Sequence, residues 1–156
     1  MRRINRISFG GTAAIVTSMA LIVGLDAVHA THKTIISALL IAALADNLTD
    51  SLSVHIYQES ERLSQREAFI GTLTNFATRL ALCLSFAAII ALLPDALAPG
   101  AALTWGTLLL AALSWVLARE RQVRALPEVA KHLVVAALVI LISRLIGGWI
   151  NVELGV

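Results

Sequence analysis

The chain has 156 residues, of which 58% are hydrophobic and only 14% are charged, and its mean hydropathy is +0.85. Soluble domains carry about 25% charged residues, so one soluble domain of this length could not bury so much apolar surface. The composition excludes an ordinary water-soluble enzyme, a disordered chain and a nucleic-acid-binding protein. The single cysteine, Cys83, excludes a disulfide framework and a multi-cysteine metal site. The sequence therefore predicts an integral membrane protein whose solvent is the lipid bilayer.

Five apolar segments meet or approach the roughly 20 residues that a helix needs to cross a bilayer. They cover about residues 8–28, 34–57, 68–93, 101–118 and 128–150, within a single transmembrane domain of residues 1–156. Pro94 and Pro99 bracket a short turn between the third and fourth segments, and Pro127 suits the first turn of the fifth helix. The first segment also resembles a cleavable secretory signal, but its apolar run is longer than such signals have. We predict an all-α fold with five transmembrane helices.

Basic residues are distributed unequally between the two ends of these spans. Nine of them lie on one side and only Lys33 lies on the other. The nine are Arg2, Arg3, Arg6, Arg62, Arg66, Arg119, Arg121, Arg124 and Lys131. Because cytoplasmic loops are enriched in lysine and arginine, we predict that the N-terminus lies inside and the C-terminus outside, in a bacterial inner (plasma) membrane. The remaining two, Arg79 and Arg144, lie within spans; Arg144 is expected to extend toward the surface or to pair with an aspartate.

Charged residues inside a bilayer are costly, so each one needs a partner or a function. Asp46 and Asp50 are four residues apart in the second span, which places both carboxylates on one face of a helix. Two ionised carboxylates so placed repel each other unless a proton or a cation intervenes, and hard divalent cations prefer oxygen ligands. The pattern predicts a metal site at Asp46 and Asp50. It leaves open a structural alternative in which one or both carboxylates form an ion pair with Arg79 of the third span.

Other polar residues are weaker candidates. Glu59 and Glu61 follow the second span and either collect cations at its mouth or form a solvated helix end. At the opposite end, Asp26, His29 and His32 could form an outer metal site. We expect His132 to lie at a helix start without a special function and Cys83 to be a small packing residue.

Several short motifs resemble those of the vacuolar iron transporter family, small five-span proteins that move Fe²⁺ or Mn²⁺ out of the cytosol. The first span contains Phe9-Gly10-Gly11, Ile15-Val16-Thr17-Ser18 and Gly24, the second contains Thr49-Asp50-Ser51-Leu52-Ser53, and the third begins at Gln65-Arg66-Glu67-Ala68 and ends at Leu92-Leu93-Pro94. The spacing of Ala111 to Arg119, Val123-Arg124 and Ile142 to Gly147 is also similar. The resemblance covers nearly the whole chain and implies Asp50, Ser53, Glu59 and Glu61 as residues of the metal path.

The chain also departs from that family's pattern. Ala13-Ala14 stands where the family usually has Asp-Gly in the first span, Val54 replaces a methionine, and Gln58 replaces an acidic residue. We infer that Asp46 could substitute for the lost first-span carboxylate.

The resemblance implies a transporter that exports Fe²⁺ or Mn²⁺ from the cytoplasm by proton exchange. Such a protein would have no cofactor and no enzymatic activity, and would form a homodimer. The small-residue face of the first span would be a natural contact between its two copies. The alternative is a non-transporting scaffold or regulatory subunit that keeps the fold.

Overall fold

The computed structural model describes residues 3–60 and 65–155. This part of the chain contains five helices and no strand: α1 (Arg3–Ala27), α2 (His32–Ser60), α3 (Gln65–Leu92), α4 (Ala98–Glu120) and α5 (Ala125–Leu154). All five are long and apolar enough to cross a membrane. The prediction of an all-α fold with five helices able to cross a membrane is confirmed for this part of the chain, and this indicates an integral membrane protein.

The helices are longer than the predicted spans at almost every end. For example, α1 begins at Arg3 instead of about residue 8, and α5 covers Ala125–Leu154 instead of 128–150. Hydropathy locates only the part of a helix that lies in hydrocarbon, whereas the backbone hydrogen bonds continue into the polar layer on either side. Pro99 and Pro127 both lie in the first turn of their helices, where proline removes no intrahelical hydrogen bond.

Successive helices run in opposite directions. Short turns of residues 28–31, 93–97 and 121–124 join three of the pairs, and contacts of Arg79 with Asn47 and of Thr72 with His55 set α2 and α3 antiparallel. We call the end where α1, α3 and α5 begin the first end, and the opposite end the second end. Seven of the nine basic residues that indicated a cytoplasmic side lie at the first end, Lys33 lies at the second, and Arg2 and Arg62 are outside the described residues.

Helix α1 is the central helix, because it packs against all four others. Its buried side chains Ile15, Met19 and Ile22 form an apolar core with Phe86 and Ile90 of α3, among others. Its small residues permit close approach within the chain. Gly24 lies against α5, and a Cβ at Gly147 would collide with the Gly24 carbonyl oxygen and lie 2.9 Å from Ala27 Cβ.

Candidate functional site: a polar core between α2 and α3

The interior of the bundle changes from apolar to polar along its length. The buried residues of α2 read Ile35, Leu39 and Ala43 toward the second end, and Asn47 and Ser51 toward the first. The buried residues of α3 show the same change, with Cys83, Phe86, Ala87 and Ile90 toward the second end, and Asn75 and Arg79 toward the first. We call the group Asn47, Asp50, Ser51, Asn75 and Arg79 the polar core. It occupies the middle of the bundle and the half nearer the first end.

Arg79 is the centre of the polar core. Its side chain is only 4% exposed and forms an ion pair with the 41% exposed carboxylate of Asp50. Its Nε donates a hydrogen bond of 2.6 Å to Asn47 Oδ1. A buried guanidinium is tolerable in a membrane only when its charge is matched. Helix α2 supplies the anion and an acceptor for Nε, whereas the contact of Nη1 with Asp50 is an ion pair without hydrogen-bond geometry. Of the two aspartates proposed as partners of Arg79, Asp50 is the one that pairs with it.

Gly10 of α1 makes room for the α3 side of the polar core. A Cβ at this position would collide with Asn75 Oδ1, and it would lie 2.9 Å from Asn75 Cγ and 3.0 Å from Arg79 Cδ. The α1 backbone therefore contacts Asn75 and Arg79 directly, and any larger residue at position 10 would displace them.

Several atoms of the polar core have no protein partner. The Asn47 Nδ2, the Ser51 Oγ and both amide atoms of Asn75 are buried without a hydrogen bond to any described residue. A buried polar group left in this state costs about 1–3 kcal/mol, and such atoms are usually matched by water or an ion. The polar core therefore has unused capacity for a small polar ligand.

Asp46 lies outside this network. Its carboxylate is exposed, near the middle of α2 and one turn from Asp50, and it has no hydrogen bond or ion pair with a described residue. Ser53 is also exposed, and its hydroxyl donates to the Thr49 carbonyl oxygen at 3.0 Å. The two aspartates thus share a helix side but have different surroundings, because only Asp50 is drawn into the interior by Arg79.

The remaining candidates are not brought together in the described part of the chain. Glu61 lies outside the described residues, and only the backbone of Glu59 is described. At the second end, His32 Nε2 lies 3.2 Å from a carboxylate oxygen of Asp95 instead of joining Asp26. Among the described residues, no three His, Cys, Asp or Glu side chains form a group that could hold a metal ion.

Polar contacts between α2 and α3 continue from the polar core toward the first end. Thr72 Oγ1 of α3 lies 3.5 Å from Nδ1 of His55. His55 is on α2, one turn beyond Ser51. Together with the polar core they form a column of polar side chains that runs from mid-bundle toward the first end. The second-end half of the same helix pair is closed by Leu39, Phe86 and other buried apolar residues.

Two polar contacts elsewhere were not expected from the sequence. His132 Nδ1 lies 2.8 Å from the Oγ of the buried Ser114, which gives His132 a structural contact between α4 and α5. The same Ser114 hydroxyl lies 2.6 Å from the Leu110 carbonyl oxygen, so it has one partner on its own helix and one on α5. Cys83 is buried as expected, and its sulfur lies 3.7 Å from Ser18 Oγ.

Arg144 lies on the exposed side of α5. It forms no ion pair with a described carboxylate, so the expected pairing with an aspartate does not occur within this part of the chain.

The chain matches no protein-family model, no curated protein and no solved structure. The family suggested by the motifs therefore stays a prediction, and the function has to be argued from the polar core itself.

Proposed function

We propose that this protein is a membrane transporter that exports a divalent cation, Fe²⁺ or Mn²⁺, from the cytoplasm in exchange for protons. The observation that carries the proposal is the polar core. A stable scaffold in lipid has no need for buried amide and hydroxyl groups without partners, because each one costs stability. A transporter needs such groups, since they replace the water that a cation leaves behind.

The available donors suit a hard divalent cation. Asp50, Ser51 and Asn75 offer one carboxylate, one hydroxyl and one amide carbonyl, and oxygen donors of this kind are those that manganese and other hard cations accept. Asp46, one turn away on α2, would be a second carboxylate on the path. The resemblance to vacuolar iron transporters supports Fe²⁺ or Mn²⁺ as the cargo and Ser53 as a further ligand. It also supports Glu59 and Glu61 at the mouth.

Arg79 gives this site an internal competitor. A cation that binds Asp50 would compete with the guanidinium, because two cations in contact with one carboxylate repel each other. A proton on Asp50 would release either cation, since carboxylates ligate only when ionised. This competition for one carboxylate is the basis on which we propose coupling of metal exit to proton entry.

Orientation and assembly complete the proposal. The basic residues at the first end support its placement in the cytoplasm of a bacterial inner membrane. The polar column runs from mid-bundle toward that same end, which fits uptake of the cation from the cytoplasm. The exposed Asp46 at the middle of α2 would be unfavourable in lipid, and a homodimer that covers this face of α2 would shield it.

A second candidate function is a non-transporting scaffold or regulatory subunit. The specific observation in its favour is that Arg79 already forms an ion pair with Asp50 and a hydrogen bond to Asn47 Oδ1, so that these contacts act as a structural link between α2 and α3. Under this alternative the unpartnered amides would be matched by water alone.

Thermal unfolding of the purified protein with and without Mn²⁺ separates the two functions. A transporter should be stabilised by Mn²⁺, because a ligand that binds only the folded state raises its stability, and the effect should fade as the pH falls. Asp50→Asn should abolish the shift, whereas the matched control Asp95→Asn, in the exposed turn between α3 and α4, should retain it. Absence of any shift in the wild-type protein, or a shift that survives in the Asp46→Asn, Asp50→Asn double variant, would contradict a metal site in the polar core.

A further inference from the structure

Three arginines are concentrated where α4 turns into α5. Arg119, Arg121 and Arg124 are all exposed, and the intervening turn is closed by hydrogen bonds from Gln122 N to Arg119 O at 3.2 Å and from Val123 N to Ala118 O at 3.0 Å. Gln122 has a positive φ of 55°, the left-handed conformation that ends a helix sharply. The turn is therefore a hydrogen-bonded structure that carries three exposed arginines within six residues.

The charge of this turn is not neutralised within the described part of the chain. None of the three arginines forms an ion pair with a carboxylate there, and the one acidic residue between them is Glu120. The nearby Glu128 is already paired with Lys131 at 2.8 Å. Residues 119–124 thus carry three positive charges and one negative charge, a net charge of +2.

The surroundings of the turn place it at the level of lipid headgroups. It joins two membrane-spanning helices, and the Arg119 guanidinium lies 5.5 Å from the centroid of the Trp115 ring. Trp115 is 42% exposed, and exposed tryptophans near span ends mark the membrane interface. Exposed apolar side chains, Val116 and Leu126, flank the arginines. A ligand for this surface must be both anionic and apolar.

We propose that the α4–α5 turn binds one anionic phospholipid, such as phosphatidylglycerol, independently of any transport function. The phosphodiester lies among Arg119, Arg121 and Arg124, whose planar guanidinium groups can each donate two parallel hydrogen bonds to phosphate oxygens. The acyl chains lie along Val116 and Leu126. An acidic protein or a nucleic acid would match the charge, but neither would use the apolar flanks or the position at the bilayer surface.

Lipid titration of the purified protein in a neutral detergent tests this proposal. Native mass spectrometry and thermal unfolding should both show binding of phosphatidylglycerol in preference to phosphatidylcholine. Each basic residue near an anionic surface contributes about fivefold to affinity, so the Arg119→Gln, Arg121→Gln, Arg124→Gln variant should bind about 100-fold more weakly. The double variant Arg121→Gln, Arg124→Gln keeps the contact between Arg119 and Trp115, and its affinity for the lipid should fall about 25-fold by the same reasoning. It replaces the triple variant in the test if the triple variant does not fold.

The matched control removes two basic residues elsewhere. Lys33→Gln, Arg144→Gln should retain the preference of the wild-type protein. The proposal is overturned if the wild-type protein does not distinguish the two lipids, or if the Arg121→Gln, Arg124→Gln variant keeps the wild-type preference. If inorganic phosphate at the same concentration stabilised the protein against thermal unfolding as much as phosphatidylglycerol does, the result would contradict a lipid as the ligand.

Discussion

Replacement of Arg79 by alanine should destabilise the protein more than replacement of any exposed arginine. The change removes the ion pair with Asp50 and the 2.6 Å hydrogen bond to Asn47 Oδ1, and it leaves the partly exposed Asp50 carboxylate without its counter-charge. Loss of one partner of a buried pair costs about 3–5 kcal/mol in soluble proteins. Polar interactions in membrane proteins average only about 0.6 kcal/mol, with a maximum near 1.7.

The size of the effect follows from these two limits. Arg79 is only 4% exposed, and the substitution removes two contacts with α2 at once. The loss of unfolding free energy should therefore exceed the average of about 0.6 kcal/mol for one polar interaction in a membrane protein. We expect about 2–4 kcal/mol, which corresponds to a roughly 30- to 1,000-fold change in the unfolding equilibrium. Arg79→Lys should be intermediate, because lysine keeps the charge but cannot reproduce the planar arrangement of donors.

Unfolding of the reconstituted protein by a denaturing detergent, followed by tryptophan fluorescence, measures this difference. The matched control is Arg119→Ala, which removes an exposed arginine that stacks on Trp115 and should cost about 0.5–1 kcal/mol. If Arg79→Ala costs no more than Arg119→Ala, the polar core does not depend on Arg79. A double-mutant cycle with Asp50→Ala should give a favourable coupling energy, since the two side chains are in direct contact.

Three further predictions concern packing, hydrogen bonding and access to water. Gly147→Ala should cost about 1–3 kcal/mol because its Cβ would meet the Gly24 backbone. A Cβ at Gly148 would have nothing within 4 Å, so Gly148→Ala should be neutral in the same unfolding assay. Equal effects of the two substitutions would refute the close α1–α5 contact. His132→Ala should cost about 1 kcal/mol because it removes a hydrogen-bond partner of the buried Ser114 hydroxyl, and a loss no greater than that of the exposed Glu153→Ala would contradict the contact. In a Cys83→Ala background, a water-soluble thiol reagent should label Ser51→Cys faster than Leu39→Cys, since only position 51 lies in the polar column; similar rates would show that the column is dry.

The sequence was sufficient to predict the five helices and the three turns that the structure describes between them. Long segments of mostly apolar residues and the prolines at positions 94, 99 and 127 are strong signals. The partner of Arg79 could also be limited to two aspartates, because a charge in the bilayer has few acceptable neighbours.

The interior faces could not be predicted in the same way. A helix surrounded by lipid is apolar on all sides, so periodicity does not distinguish its buried face from its exposed one. For this reason the buried positions of Asn47, Asn75 and Ser51, and the contact between Ser114 and His132, emerge only from the structure. The same limitation explains why the spacing of Asp46 and Asp50 could not predict that the two carboxylates have different environments.

The most direct test of transport is metal flux in liposomes that contain the purified protein and a fluorescent indicator for Mn²⁺. With an opposing proton gradient, the wild-type protein should move Mn²⁺ across the bilayer, and Asp50→Asn should abolish the flux while Asp95→Asn leaves it unchanged. Asp46→Asn should reduce the flux if this residue has replaced the missing first-span carboxylate. Flux equal to that of the wild type in the Asp46→Asn, Asp50→Asn double variant, or no flux of Fe²⁺ or Mn²⁺ by the wild-type protein under either direction of gradient, would contradict the proposed transport through the polar core.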